Sequence, residues 1–181
     1  MRTLRIAGVT LQGCVIGALL FFSFCDWRNV ERPAKSSSQL SSPSTYLLPD
    51  TAYRLNWDLG GIPVVFQPGV SRSATVRVTN ASSSTWPSIQ TTKTSPPGAY
   101  CIRISYRWWD ANRENVVVDY SARTNLPKAL PPGEMTALSL EIRPPAQPGH
   151  YVLQVDLVHE MICWFEGRGA ARGLVDVHVR P

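Results

Sequence analysis

The sequence predicts an all-β protein, an antiparallel sandwich of about seven short strands preceded by one apolar N-terminal helix. Three observations carry that prediction. From Thr51 onward, apolar and polar residues alternate with a period of two in run after run. Pro/Gly turn signals (Q-P-G, S-P-P-G, L-P-P-G-E and a second Q-P-G) separate the runs. Beyond residue 25, no window keeps an i, i+3, i+4, i+7 apolar stripe that a Pro or Gly does not interrupt.

The chain opens on M-R-T-L-R and then runs from Ile6 to Cys25 without a charge. As a helix rising ~1.5 Å per residue, that run spans ~30 Å, the thickness of a bilayer core. Arg2 and Arg5 precede it, so the positive-inside rule places the N-terminus in the cytoplasm and everything after Cys25 outside, in a periplasmic or other extracytoplasmic space. Three readings stay open: an uncleaved single-pass anchor, a cleaved signal peptide, or lipidation at the L-Q-G-C stretch ending in Cys14. All three send the rest of the chain to the same side of a membrane. If the span is retained, Gly8, Gly13 and Gly17 would let a partner helix approach closely.

Residues 26–50 have no apolar periodicity and a Ser/Pro-rich centre, K-S-S-S-Q-L-S-S-P-S-T, which reads as a tether. The strand-rich domain is expected over residues 51–181. Tyr53–Trp57 and Pro63–Phe66 read as a broken first strand. Ala74–Asn80, Cys101–Trp109, N-V-V-V-D-Y, Met135–Ile142, Tyr151–Val158 and Leu174–Val179 follow in order. The spacing of these runs is that of a β-sandwich.

The strand I-S-Y-R-W-W-D carries two adjacent tryptophans, which must point to opposite faces. Ile102, Ile104, Tyr106 and Trp108 share one parity; Arg103, Ser105, Arg107 and Trp109 share the other. Trp108 is therefore expected in the core. A one-residue slip would bury two arginines instead. Trp109 then emerges on the arginine face as a candidate partner contact, unless a loop covers it. On the neighbouring strand Gln154, Asp156 and Glu160 are expected on the same outer face, with Asp156 in reach of Arg107 or Arg103.

Several pieces resemble immunoglobulin-like sandwiches. Tyr151, just after P-A-Q-P-G-H, stands where such folds place a tyrosine corner, and Trp108 resembles the inward tryptophan of the third strand. From Ala74 to Phe165 the pattern V-T-N…W-P, I-S-Y-R-W-W-D, V-V-V-D, R-T-N-L-P, L-P-P-G-E, P-G-H-Y-V-L-Q-V-D-L-V-H-E and C-W-F resembles a bacterial immunoglobulin-like module. That module is found alone or appended to proteins of cell-surface glycan synthesis and export. The resemblance implies a binding or scaffolding role and carries no catalytic residue. Where the family pattern often has Gly after the His-Glu pair, this chain has Met161.

Cys101 opens the tryptophan strand and Cys163 follows the next long strand. If the two strands are antiparallel neighbours, these cysteines could form a disulfide; the alternative is two separate buried thiols.

The chemistry-bearing residues do not assemble into a motif. His159, Glu160 and Cys163 lack zinc-ligand spacing, and the sequence contains no HExxH, P-loop, GxGxxG or G-x-S-x-G. No metal or cofactor is expected. Without Arg2 and Arg5 the formal charge of +5 falls to an excess of three, dispersed along the chain, which argues against nucleic acid as a partner. Asn80-Ala81-Ser82 fits a glycosylation sequon. R-T-N-L-P reads as a binding loop, or as a connection whose Arg ties backbone carbonyls. E-G-R-G-A-A-R-G beside Trp164 and Phe165 reads as a mobile cationic hairpin loop, or as a solvated turn. The candidate contact residues are thus Arg103, Arg107, Trp109, Trp164, Phe165, Arg168 and Arg172. The expected function is a membrane-tethered, non-enzymatic interaction module, an accessory or scaffolding subunit of an envelope complex. The alternative is a carbohydrate-binding module that uses Trp109 and Arg107.

Overall fold

A computed structural model of the protein describes residues 46–119 and 122–181. The apolar run Ile6–Cys25, with Gly8, Gly13 and Gly17, and nearly all of the expected tether lie outside the described residues. Among those described, no helix is long and apolar enough to cross a membrane.

Ten strands follow in chain order: β1 (Leu55–Gly61), β2 (Val65–Phe66), β3 (Arg72–Asn80), β4 (Ile102–Asp110), β5 (Val116–Asp119), β6 (Thr124–Asn125), β7 (Met135–Ile142), β8 (Gly149–His159), β9 (Cys163–Trp164) and β10 (Gly173–Val179). They form two sheets. The smaller has the order β1-β3-β7; the larger has the order β2-β10-β8-β4-β5, with β6 beside β4 and β9 beside β8. β1 pairs antiparallel with β3, whereas β2, a few residues later, pairs parallel with the last strand. The broken first strand read from the sequence is thus a strand that changes sheets. With β3 and β7 facing β4, β8 and β10, this is the strand arrangement of an immunoglobulin-like sandwich.

The alternation rule explains the core. Ala74, Val76 and Val78 from β3, with Leu138, Leu140 and Ile142 from β7, face Ile102, Ile104, Tyr106 and Trp108 from β4 and Leu153, Val155 and Leu157 from β8. Each large apolar side chain buried this way stabilises the fold by about 1.5–3 kcal/mol. Trp108 is fully buried. Its indole N–H donates to the Arg143 carbonyl at 2.8 Å, and the Arg143 amide donates to the Tyr106 hydroxyl at 2.9 Å. The loop after β7 is therefore tied to the core of the opposite sheet. The Tyr151 hydroxyl donates to the Gln147 carbonyl at 3.1 Å, which is the tyrosine corner expected from P-G-H-Y.

Asn80 has no exposed surface. Its amide group donates to the Ser84 and Leu130 carbonyls, and its Oδ1 accepts from the Ser82 amide and hydroxyl. The side chain is a structural tie between two loops, so the sequon there is spent on hydrogen bonds.

Candidate functional site

The outer face of the larger sheet collects the side chains that the sequence leaves off the core. Arg103, Ser105, Arg107 and Trp109 project from β4, and Gln154 and Asp156 from β8, in the register Arg103↔Val158, Ser105↔Asp156, Arg107↔Gln154 and Trp109↔Val152. The face is not open. The segment 160–172, between β8 and β10, folds back over it and is fastened by charge.

Glu160 and Glu166 are the fasteners. Glu160 accepts from Arg123 Nε at 3.1 Å and lies 3.6 Å from Arg103. Glu166 pairs with Arg107 at 3.3 Å and Arg172 at 3.0 Å, and accepts from Gln154 Nε2 at 2.7 Å. Between these carboxylates Trp164 is held by two guanidiniums, Arg107 at 4.4 Å and Arg123 at 5.0 Å from the ring centroid. Such contacts contribute about 0.5–2 kcal/mol each, depending on desolvation. Arg123 also donates to the Ser105 hydroxyl at 2.8 Å, which in turn donates to the Ala122 carbonyl. The Nε atoms of Arg103 and Arg107 are buried without a hydrogen-bond partner among the described residues. These two cations are fixed by their termini alone.

Asp156 does not pair with either arginine as the sequence suggests. It is buried beneath the segment, accepting the Leu157 amide at 2.8 Å and the Glu166 amide at 3.2 Å. Burial pushes its carboxyl up to about 7, although those two N–H groups favour the ionised form. His159 is its counterpart on the inner face. Burial pushes its imidazole down to about 4, and Nδ1 lies 3.0 Å from the Tyr53 hydroxyl. Burial, reinforced by the neighbouring Cys163, pushes the Tyr53 phenol up to about 12.

The expected contact residues divide by parity. Trp164 stands opposite Val158 on the outer face, but the next residue, Phe165, is fully buried against Tyr53 (5.0 Å) and Trp86 (5.2 Å), so it is a core residue and not a contact. Arg103 and Arg107 are largely covered, and their charges are engaged by the glutamates. Arg168 bonds Asp50 at 2.7 Å and lies over the Tyr53 ring; Arg172 is the more exposed of the two loop arginines. Trp109 stays partly exposed. It rests between Val152 on one neighbouring strand and Val116 on the other, its indole N–H donating to Gln154 Oε1 at 2.6 Å.

The Cys101–Cys163 bridge is corrected. Both thiols are free. β4 runs along one side of β8 as far as His159, so β9 pairs with β8 from the other side. Cys163 is therefore two strand spacings, ~9.6 Å, from the strand that Cys101 opens, beyond the ~7 Å Cα separation a disulfide tolerates. The faces differ as well. Cys163 packs against the core, while the Cys101 thiol donates to the Gly98 carbonyl at 2.9 Å.

Two features of this face were not identified from the sequence. The partners of Arg123 are one: the R-T-N-L-P reading has its Arg tie backbone carbonyls, but its main contacts are Ser105, Glu160 and Trp164, far apart in sequence. The other is the open edge at β5, where Val116 and Val117 are 40% and 44% exposed beside Trp109. The register shift between Trp108 and Trp109 is a bulge that sets Val116 opposite Trp109. Among the described residues, no group of three or more His, Cys, Asp or Glu side chains is arranged to hold a metal ion.

No family model matches the chain, and no curated protein matches it in sequence. Solved structures with a similar strand arrangement include a β-glucosidase from Listeria innocua in complex with laminaribiose, at 15% identity and a TM-score of 0.40 over 70% of this chain. They also include the CARDB domain of a Pyrococcus furiosus protein in complex with di-metal ions, at 15% identity and 0.39 over 70% of this chain and 84% of that one. A β-glucosidase from Erythrobacter marinus aligns at 8% identity and 0.38 over 70% of this chain. The chain spans only 16% and 15% of the length of the two glucosidases. None of these likenesses assigns an activity or a ligand to this chain.

Proposed function

We propose that the protein is a membrane-tethered, extracytoplasmic interaction module without catalytic activity, an accessory subunit that docks onto a larger envelope or membrane protein. The observation that carries this reading is the apolar edge of the larger sheet. Val116 and Val117 of β5, with Trp109 of β4 beside them, form a continuous patch, and among the described residues β5 ends the sheet order, beside a surface made rigid by the Glu160 and Glu166 fastenings. Open edge strands with exposed apolar side chains are templates for partner binding. Glu160, Glu166 and Asp156 nearby are engaged in ion pairs and backbone hydrogen bonds, which ties them to structure rather than to catalysis. The test is recovery of the tagged full chain from detergent-solubilised native membranes. A partner present in stoichiometric amount with the wild type and absent with Val117→Asp supports the reading; a lone monomer in both preparations removes it.

One observation favours a second reading as a carbohydrate-binding module. Trp109 is partly exposed and hydrogen-bonded to Gln154, the pairing of aromatic face and polar neighbour that sugar recognition uses. A glycan array separates the two readings: signal that Trp109→Ala abolishes supports sugar binding, and a blank array leaves the protein-docking reading alone.

A further inference from the structure

A cavity lies far from this patch, at the opposite edge of the larger sheet. It is an open groove of about 740 Å³ where the first strand changes sheets, with Phe66 and Val70 among its apolar lining and Arg72 and Arg180 as its charged groups. Its walls are fixed by the backbone. The Arg180 amide donates to the Phe66 carbonyl at 2.9 Å, Val70 closes a turn onto Gln67 at 3.2 Å, and Gly69 donates to the Pro145 carbonyl at 3.1 Å. Phe66 is almost wholly buried, edge-on to Trp108 at 5.9 Å, and anchors the base of the groove, while Val65 and the half-exposed Val70 supply its accessible apolar surface.

The charge in this groove is unbalanced. The arginines of the sheet face and of segment 160–172 pair with Glu160, Glu166 or Asp50, but among the described residues neither Arg72 nor Arg180 has an ion-pair partner. No carboxylate side chain lines the groove. The two guanidiniums come from different sheets, Arg72 from the start of β3 and Arg180 from just beyond β10, so they converge on one opening from two sides. Two guanidiniums against the one α-carboxylate of Pro181 leave the lining with a net positive charge beside apolar side chains, which matches an anion that carries an apolar group.

We propose that this groove binds an amphiphilic anion, its phosphate or carboxylate held by Arg72 and Arg180 and its apolar portion lying on Val65 and Val70. The described chain begins at Tyr46, stacked on Tyr100, whose amide donates to the Glu160 carbonyl at the far end of β8. The groove sits beside Val179, which pairs with Gly149 at the start of β8. The two ends of that strand are ~33 Å apart. The groove therefore opens at the end of the sandwich opposite Tyr46. This site is independent of the docking edge at β5.

The test uses the full chain in nanodiscs of zwitterionic lipid, with empty nanodiscs as the blank. Isothermal titration compares hexyl phosphate, hexanol and inorganic phosphate. The expected result is saturable 1:1 binding of hexyl phosphate that weakens as salt rises, with both single-feature probes weaker by roughly tenfold or more. Arg72→Gln and Arg180→Gln should each weaken hexyl phosphate by roughly tenfold, while the thermal midpoint stays unchanged because both side chains are exposed. Binding of hexanol or inorganic phosphate as tight as that of hexyl phosphate would overturn the assignment. So would hexyl phosphate binding indifferent to both substitutions, or none at all.

Discussion

Met161 adopts a left-handed backbone conformation (φ 65°) at the third position of a four-residue turn, closed by the Ile162 amide on the His159 carbonyl at 2.9 Å. A turn with positive φ at that position favours glycine, because a side chain there crowds the following carbonyl. Glycine is also the residue that the resembling module often has at this point. Met161 is 68% exposed, so its side chain contributes little packing in return. Met161→Gly is expected to stabilise the domain by about 0.5–1 kcal/mol in urea titration, the relieved strain exceeding the extra chain entropy of glycine. A loss of stability would mean that the thioether makes a contact beyond the domain's own surface. Glu160, next to it, serves two guanidiniums. With Glu160→Gln, Arg103 and Arg123 lose their shared counter-ion, and a loss of about 1–2 kcal/mol is expected, reduced from a buried-pair value because the site is a fifth exposed.

At the scale of elements, the central strand was legible in the sequence because its two faces differ chemically. An apolar row ending in Trp108 and an arginine row ending in Trp109 admit one register. The same alternation separates Trp164 from Phe165, but β9 is two residues long, too short for a period to stand out, so both aromatics read as contacts. The cysteine pairing was misjudged because the turn at Glu160–Met161 carries the chain across β8, away from β4, and nothing in the spacing shows which side the return takes. Free thiols follow as an outcome to check. Without reductant both Cys101 and Cys163 should alkylate once the domain is unfolded; in the native state Cys163 should react first, since Cys101 is wholly buried. Glu166–Gly173 reads as a mobile loop because the fastenings of segment 160–172 come from β4, β8 and Arg123. Trp164→Ala removes the ring that both guanidiniums hold, and hydrogen exchange should then quicken across 160–172 while β3 and β7 stay protected. Uniform quickening of both sheets would mean that Trp164 supports the whole core.

For the whole molecule, two buried groups on β8 set the response to pH. His159, displaced from 6.5 to about 4, contributes stability that is complete above pH 6.5 and lost as pH falls toward 4. Asp156, displaced from 3.8 to about 7, contributes stability that is complete below pH 3.8 and lost as pH rises toward 7. Each shift corresponds to roughly 3–4 kcal/mol over its window. The slopes are opposite in sign and overlap between about pH 4 and 6.5, so unfolding free energy there should be nearly flat. Asp156→Asn leaves the histidine unopposed, and its denaturation midpoint should fall steadily as pH drops from 7 to 4. A flat profile in that variant would mean that His159 is not held neutral.

The functional claim also belongs to the whole molecule: the exposed edge at Trp109, Val116 and Val117 is a seat for another protein. Photo-crosslinking from position 117 in native membranes, with the tagged full chain recovered under denaturing conditions, measures that contact directly. The expected result is one discrete adduct with an envelope or membrane protein, lost when the same crosslinker is moved to position 77 on the outer face of the smaller sheet. Labelling at position 117 that yields only lipid or uncrosslinked chain, or a diffuse ladder equal to that from position 77, would contradict it.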